Sequence, residues 1–303
     1  MSLKNLNNAK GIIFALISSG TFGLIPMFSL PLMNDECIGL PTILFYRFLL
    51  SAVMMGVICL LKKESLKISL RQTSTIFGLG ILYAATALCL IYAYKYIPSG
   101  VATTIHFIYP ISVSLIMVLF FKEKKSIILM LAAILSLLGV AMMCWTNEGE
   151  AINPIGVAIA SITILTYAFY IVGINKSSVS LMNAEALTFY ILLSGALIFM
   201  VFAMATTGIE PISGSSAWGH LVLLAFLPTV LSDLTLILAI KYAGSTITSI
   251  LGSMEPLVAV FIGVVYFHEY FAISSLFGLL LIILSVILVI LFGNRRKQAK
   301  VSE

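Results

Sequence analysis

The chain has 303 residues, 61% of them hydrophobic and 10% charged, with a formal net charge of +5 and a mean hydropathy of +1.14. Soluble domains carry roughly a quarter charged residues, so this composition cannot cover an aqueous surface. The same figures exclude disorder, and four cysteines are too sparse for a secreted disulfide scaffold.

A hydrocarbon core of about 30 Å calls for a helix of roughly 20 apolar residues. In chain order, such runs lie at 11–34, 40–61, 72–94, 96–121, 126–147, 151–175, 186–209, 211–240, 242–267 and 271–294. Single charges interrupt three of them: Arg47 in the second, Asp233 in the eighth and Glu255 in the ninth. Run length and the lack of period-two alternation favour helices over a barrel. The expected fold class is therefore all-α, a membrane protein of ten transmembrane helices. Lys4 and Lys10 precede the first run as in a signal peptide. That run is too long and has no small-x-small site before Asn34, so it reads as the first span. The longest connection, 62–72, is about eleven residues, which leaves no room for a soluble domain between spans.

Fifteen of the 17 Lys and Arg residues, from Lys4 to Lys300, fall in loops on one side of such a ten-span chain. The other side holds Lys95, and Arg47 is inside a span. The positive-inside rule then predicts that both termini and the 122–125 loop are cytoplasmic, with the chain in the cell (inner) membrane. The acidic loop residues Asp35, Glu36, Glu148, Glu150, Glu210 and Glu269 fall outside. The basic tail 294–303 is a stop-transfer flank in this reading, with no nucleic-acid partner.

Residues 90–123 align without gaps on 236–269, with eleven identities in 34 positions. These include Lys95 on Lys241, Tyr96 on Tyr242, Pro110 on Pro256 and Glu123 on Glu269. A weaker match sets Gly11 on Gly156, Ala15 on Ala160 and Ile17 on Ile162. The chain thus reads as two five-helix repeats, 8–146 and 151–293. An odd number of spans inverts the second copy, the recurrent architecture of secondary transporters.

Phe22-Gly23, Tyr46-Arg47-Phe48-Leu49, Pro110, Phe121-Lys122-Glu123, Tyr167-Ala168, Glu255-Pro256 and Phe267-His268-Glu269 carry a resemblance to a known family. Together with the spans and the repeat, they make the chain similar to the EamA family of the drug/metabolite transporter superfamily over essentially its whole length. Phe22 and Tyr167 stand where that family often has Trp. The resemblance implies a ten-helix carrier, often an exporter of amino acids or related metabolites. It also implies a central cavity lined by spans three, four, eight and nine and flanked by one and six.

An ionisable residue in mid-membrane costs about 2.5–3.5 kcal/mol on insertion scales and needs a reason. Arg47 reads either as an anion contact or as part of a structural ion pair. Asp233 is either a proton or cation site or a helix-packing partner. Glu255 sits in mid-span beside Pro256, where the missing backbone donor loosens the preceding turn. Pro110 and Pro256 are the expected hinges. His106 and Tyr109 lie three residues apart on span four and are expected to share a face. At an offset of 146 they fall on Gly252 and Glu255, while Ala102 falls on Thr248. The substrate-binding or translocation set is thus His106, Tyr109, Thr248 and Glu255, with Tyr83, Phe22 and Tyr167 as aromatic lining. Ser19 and Gly23 show small-xxx-small spacing, read as helix packing.

No catalytic residue, metal site or cofactor is expected. Walker, HExxH, GxSxG and Rossmann patterns are absent, so ATP is not a partner. The function expected is a secondary transporter of a small metabolite, an amino acid or a related compound, acting outward by alternating access. The proton is the candidate coupling ion, and the expected state is a monomer or weak dimer in the bilayer. The competing reading is an intramembrane enzyme acting on lipid with His106 and Glu255 as acid and base. It lacks a nucleophile and has no use for an inverted duplication.

Overall fold

The computed structural model describes residues 3–97, 99–123, 126–143, 153–266 and 273–293, and no strand occurs among them. The tail 294–303, Lys124, Lys125, Cys144, Glu148, Glu150 and Phe267-His268-Glu269 lie outside the described residues. Six segments are long and apolar enough to cross a membrane: Asn7–Asn34, Leu40–Leu61, Leu70–Ala93, Pro154–Lys176, Ala184–Ala205 and Ser215–Ala243. The other expected spans correspond to shorter or divided helices, so continuous helices across all ten runs are not what forms.

Proline accounts for the divisions. The first span is α1 (Leu3–Phe22) and α2 (Ile25–Asn34), followed by α3 (Leu40–Leu61) and α4 (Leu70–Ala93). The fourth is split into α5 (Ser99–His106) and α6 (Tyr109–Leu119), and α7 spans Ile127–Met143. After α8 (Pro154–Lys176) and α9 (Ala184–Ala205), the eighth span is α10 (Ser215–Ala225), a π-helical turn Phe226–Leu231 and α11 (Ser232–Ala243). The ninth is split into α12 (Ser245–Leu251) and α13 (Met254–Val265), and α14 runs Ile273–Gly293. A proline at position i cannot donate to the carbonyl of i−4. Helix α1 ends at Phe22, four residues before Pro26; α5 ends at His106, four before Pro110; α12 ends at Leu251, beside the Gly252 that stands four before Pro256. Pro228 would have bonded the Leu224 carbonyl. There the helix widens to π instead, and the Thr229 hydroxyl donates to that carbonyl at 2.8 Å.

Lipid is as apolar as leucine, so helices associate in it through close packing and hydrogen bonds. Helix α1 packs on α11 and α8 on α4; α3 packs on α9, α7 on α14 and α6 on α12. A Cβ added to Gly11 would stand 2.8 Å from Ala243 Cβ and 2.9 Å from Tyr242 Cβ. One added to Gly156 would stand 2.7 Å from Ile97 Cγ2 and 2.9 Å from Tyr96 Cβ. The two contacts are the same contact at offsets of 145 and 146. The Ser19 hydroxyl donates to Ala15 O at 2.8 Å and approaches Leu251 O, a carbonyl at the α12 break, at 3.1 Å. Gly23 abuts the Glu255 carbonyl and Val258. The small residues of α1 are therefore packing elements. Outward faces present apolar side chains such as Val53, Leu138, Val201 and Leu284, as a lipid-facing surface requires.

Polar ties close both ends. At one end Lys62 Nζ pairs with Glu185 at 2.7 Å, Tyr190 donates to Leu66 O at 2.6 Å, and Lys241 donates to Met182 O. At the other end the Gly39 N–H donates to Glu210 at 2.6 Å. Local caps match the sequence: Ser69 and Gln72 form a reciprocal capping box, and the Asn153 side chain accepts from Ile155 N at 2.9 Å just ahead of α8.

Candidate functional site

A small central cavity of about 30 Å³ lies among the helix breaks, with Phe22, Arg47, Tyr83, His106, Tyr167 and Glu255 on its wall. Ile25, Thr86, Ala87, Leu90 and Ile91 complete the lining. Six of the residues singled out in the sequence therefore meet in one place, contributed by α3, α4, α5, α8, α13 and the end of α1. Phe22 and Tyr167, which match at an offset of 145, both contribute.

His106 is the last residue of α5 and Tyr109 the first of α6. They do not share one helix face, as their spacing suggests, because Pro110 breaks the helix between them. Their rings meet across the break with centroids 5.1 Å apart. The Tyr167 ring completes the cluster, 5.1 Å from His106 and 4.7 Å from Tyr109. His106 Nδ1 lies 2.9 Å from Thr163 Oγ1, and the Thr163 hydroxyl donates to Ala160 O at 2.5 Å. Since that hydroxyl has a single proton, Oγ1 accepts from His106, and Nε2 carries the ring's lone pair.

Arg47 is 2% exposed. Its Nε donates to Thr229 Oγ1 at 2.8 Å, and its guanidinium lies 5.7 Å over the Phe48 ring. One turn on, the Ser51 hydroxyl donates to Arg47 O at 2.6 Å and approaches Ala225 O at 3.0 Å. The π-helical turn thus provides the acceptor that aims Arg47. Among the described residues the one ion pair is Lys62–Glu185, so Arg47 has a cavity-facing charge without a direct carboxylate partner. The structural ion pair is not formed.

Asp233, 1% exposed, lies beside the cavity rather than on its wall. Among the described residues neither carboxylate oxygen has a hydrogen-bond partner at normal distance, and nor do the buried hydroxyls of Tyr83 and Tyr170, although the Tyr83 hydroxyl is near enough to Asp233 for a weaker interaction. Those two rings stack 5.0 Å apart at 13°. Arg47 and Tyr83 are within electrostatic reach of Asp233. Thr248 is buried with its hydroxyl unpartnered, away from the cavity wall. Tyr109 is likewise behind the wall, with its hydroxyl pressed on Gly252. Sequence reasoning overlooked Thr229 and Thr163, the two residues that hold Arg47 and His106. The signal for Thr229 was Pro228, which sits inside a span.

Glu255 is at the second position of α13, where the partial positive charge of a helix N-terminus favours a carboxylate by about 0.3–1 kcal/mol. A second, larger cavity of about 250 Å³ lies at the Lys62 end, with Glu123, Asn175, Lys176, Lys241, Ser245 and Thr246 on its wall. The Thr246 hydroxyl donates to Glu123 there at 3.0 Å.

The breaks of spans four and nine touch through Tyr109 and Gly252. A Cβ on Gly252 would fall 2.0 Å from the Tyr109 hydroxyl and 2.8 Å from Ser249 O. Gly252→Ala is therefore expected to lower detergent stability by about 1–3 kcal/mol, the cost of overpacking. Tyr109→Phe in the same chain should recover part of that loss, read as a rise in the midpoint of thermal aggregation. No recovery would show that the Ser249 carbonyl sets the limit.

The model of the EamA-like transporter family matches residues 9–145 and again 154–291. No curated protein matches the sequence. A solved structure described as "Crystal structure of protein" is similar at 14% identity, with a TM-score of 0.79 over 95% of this chain and 98% of its own. At that identity the likeness shows the fold alone. The two matches of the family model together cover most of the chain, which belongs to the EamA-like transporter family.

Proposed function

We propose that the chain is a secondary carrier exporting a small metabolite, an amino acid or a close relative, by alternating access of two inverted halves. The observation that carries this reading is the pair of broken spans. Helices α5/α6 and α12/α13 are interrupted at matching positions of the two family-model matches, and His106 and Glu255 beside those breaks line one cavity. Broken helices in corresponding positions of two repeats are where carriers hold substrate. Arg47 offers a charge for a carboxylate, Glu255 one for an ammonium, and Tyr83 and Tyr167 supply aromatic walls. The repeats are taken as 8–146 and 151–293. Glu255 is the carrier of a coupling proton in this reading, with Asp233 as the alternative. The enzyme reading gains nothing from the geometry, since no serine or cysteine faces the cavity among the described residues.

The test is counterflow in proteoliposomes against a panel of amino acids, polyamines, nucleosides and sugars. Exchange confined to amino acids supports the reading, and exchange of another class replaces it. Orientation follows from the charge asymmetry, with both termini cytoplasmic in the inner membrane. In inside-out vesicles Lys124→Cys should react with an impermeant maleimide, whereas in whole cells it should stay unlabelled. Labelling in whole cells alone would reverse the topology.

A further inference from the structure

The two halves are alike where they pack and unlike where they meet. The Gly11–Tyr242/Ala243 and Gly156–Ile97/Tyr96 contacts are one contact made twice, the first beside Lys10 and Lys241 and the second beside Lys95 at the opposite end. The pairings α1–α11 and α8–α4 repeat in the same way. At the centre the correspondence fails. The Tyr109 side chain presses on the backbone of Gly252 so closely that no Cβ fits. The offset of 146 carries Tyr109 to Glu255 and Gly252 to His106. The counterpart contact would therefore set the Glu255 side chain on His106. It is not made: both residues face the central cavity, but no ion pair joins them among the described residues.

In a carrier built of inverted repeats, the opposite-facing state is reached when each half takes the conformation its partner has now. Contacts then exchange through the offset. We propose that in the opposite conformation Glu255 closes on His106 while Tyr109 leaves Gly252, so that the two contacts alternate as the closures of the central cavity. His106 is prepared for this. Its Nδ1–H is held by Thr163, so Nε2 presents a lone pair to which a protonated Glu255 carboxyl donates. The pair stays neutral overall, which suits a site with little water. Arg47 on α3, Tyr83 on α4 and Tyr167 on α8 are the other charged or titratable groups on that wall, with Tyr109 packed on the His106 ring and Asp233 close behind. This inference rests on the inverted-repeat carrier reading.

The test uses two double-cysteine variants of the full chain in proteoliposomes, in a background lacking Cys37, Cys59, Cys89 and Cys144. Tyr109→Cys/Gly252→Cys reports the contact seen here, and His106→Cys/Glu255→Cys reports the proposed one. Because the contacts are made by the far ends of long side chains, the cysteine Cβ atoms lie too far apart for a direct disulfide, and a short bifunctional methanethiosulfonate should cross-link both pairs within the monomer. Because the second variant removes the groups under test, a transposed pair, His106→Glu/Glu255→His, is measured beside the singles. With a labelled amino-acid mixture as probe, each single change should lower flux about tenfold or more, and the transposed pair should recover most of the loss, as coupled neighbours do. Failure of the 106–255 cross-link where 109–252 forms, with no recovery on transposition, would overturn the proposal. Cross-linking needs no substrate, so that result leaves the carrier reading standing. The carrier reading fails separately, on absent counterflow with every member of the panel.

Discussion

In proteoliposomes Glu255→Gln is expected to lose at least about tenfold in substrate flux, or ~1.4 kcal/mol of the transport barrier, while expression and detergent stability stay near wild type. Gln keeps the size and most of the hydrogen bonding of Glu but cannot titrate. A carboxyl that only packed would be neutral in the membrane already and would tolerate the exchange. The structure gives reasons to expect otherwise. Glu255 faces the central cavity with Arg47 on the same wall, it begins a half-helix just after a break, and it forms no ion pair among the described residues. The measurement is the initial rate of counterflow across external pH for wild type and Glu255→Gln. Unchanged flux with an unchanged pH profile would remove Glu255 from the translocation site and leave Asp233 as the acidic residue to test.

Much of this geometry was legible in the sequence because it depends on local chemistry that lipid makes strict. Runs of apolar residues must satisfy their backbone internally, so helices follow. A proline within a run removes one donor at a known carbonyl, so the breaks before Pro110 and Pro256 follow as well. The same rule applies to Pro26 and Pro228, at the α1/α2 break and the π-helical turn, although only Pro110 and Pro256 are related by the repeat. What spacing could not supply was the consequence of each break. His106 and Tyr109 look like neighbours on one helix face, yet they meet as the end of one helix and the start of the next. Thr248, read from the repeat alone, is buried away from the cavity wall, as is its counterpart Ala102. The hydroxyls that hold the charged groups, Thr229 for Arg47 and Thr163 for His106, come from other spans. Residues 182 and 57 positions away in sequence leave no local signature.

Arg47→Gln is expected to lower flux about tenfold or more, whereas Thr229→Val should lower detergent stability by about 1 kcal/mol, the worth of a typical hydrogen bond, with most flux retained. The pair of substitutions separates two roles that coincide in one side chain. Arg47 fastens α3 to the widened turn of span eight through Nε and Thr229, and it also puts a charge on the cavity wall. If fastening were its whole purpose, removing either end of the bond would have the same effect on stability and on transport. If its charge receives the anionic group of the substrate, only loss of the guanidinium should abolish flux. Arg47→Lys sharpens the distinction. Lysine keeps the charge but has no Nε with which to hold Thr229 while its head faces the cavity. It should therefore bind substrate with a raised KM and a less altered maximal rate. Equal losses of flux in Arg47→Gln and Thr229→Val would reduce Arg47 to a fastening element. Anion recognition would then have to come from the exposed and half-buried lysines, Lys176 and Lys241, of the cavity at the Lys62 end.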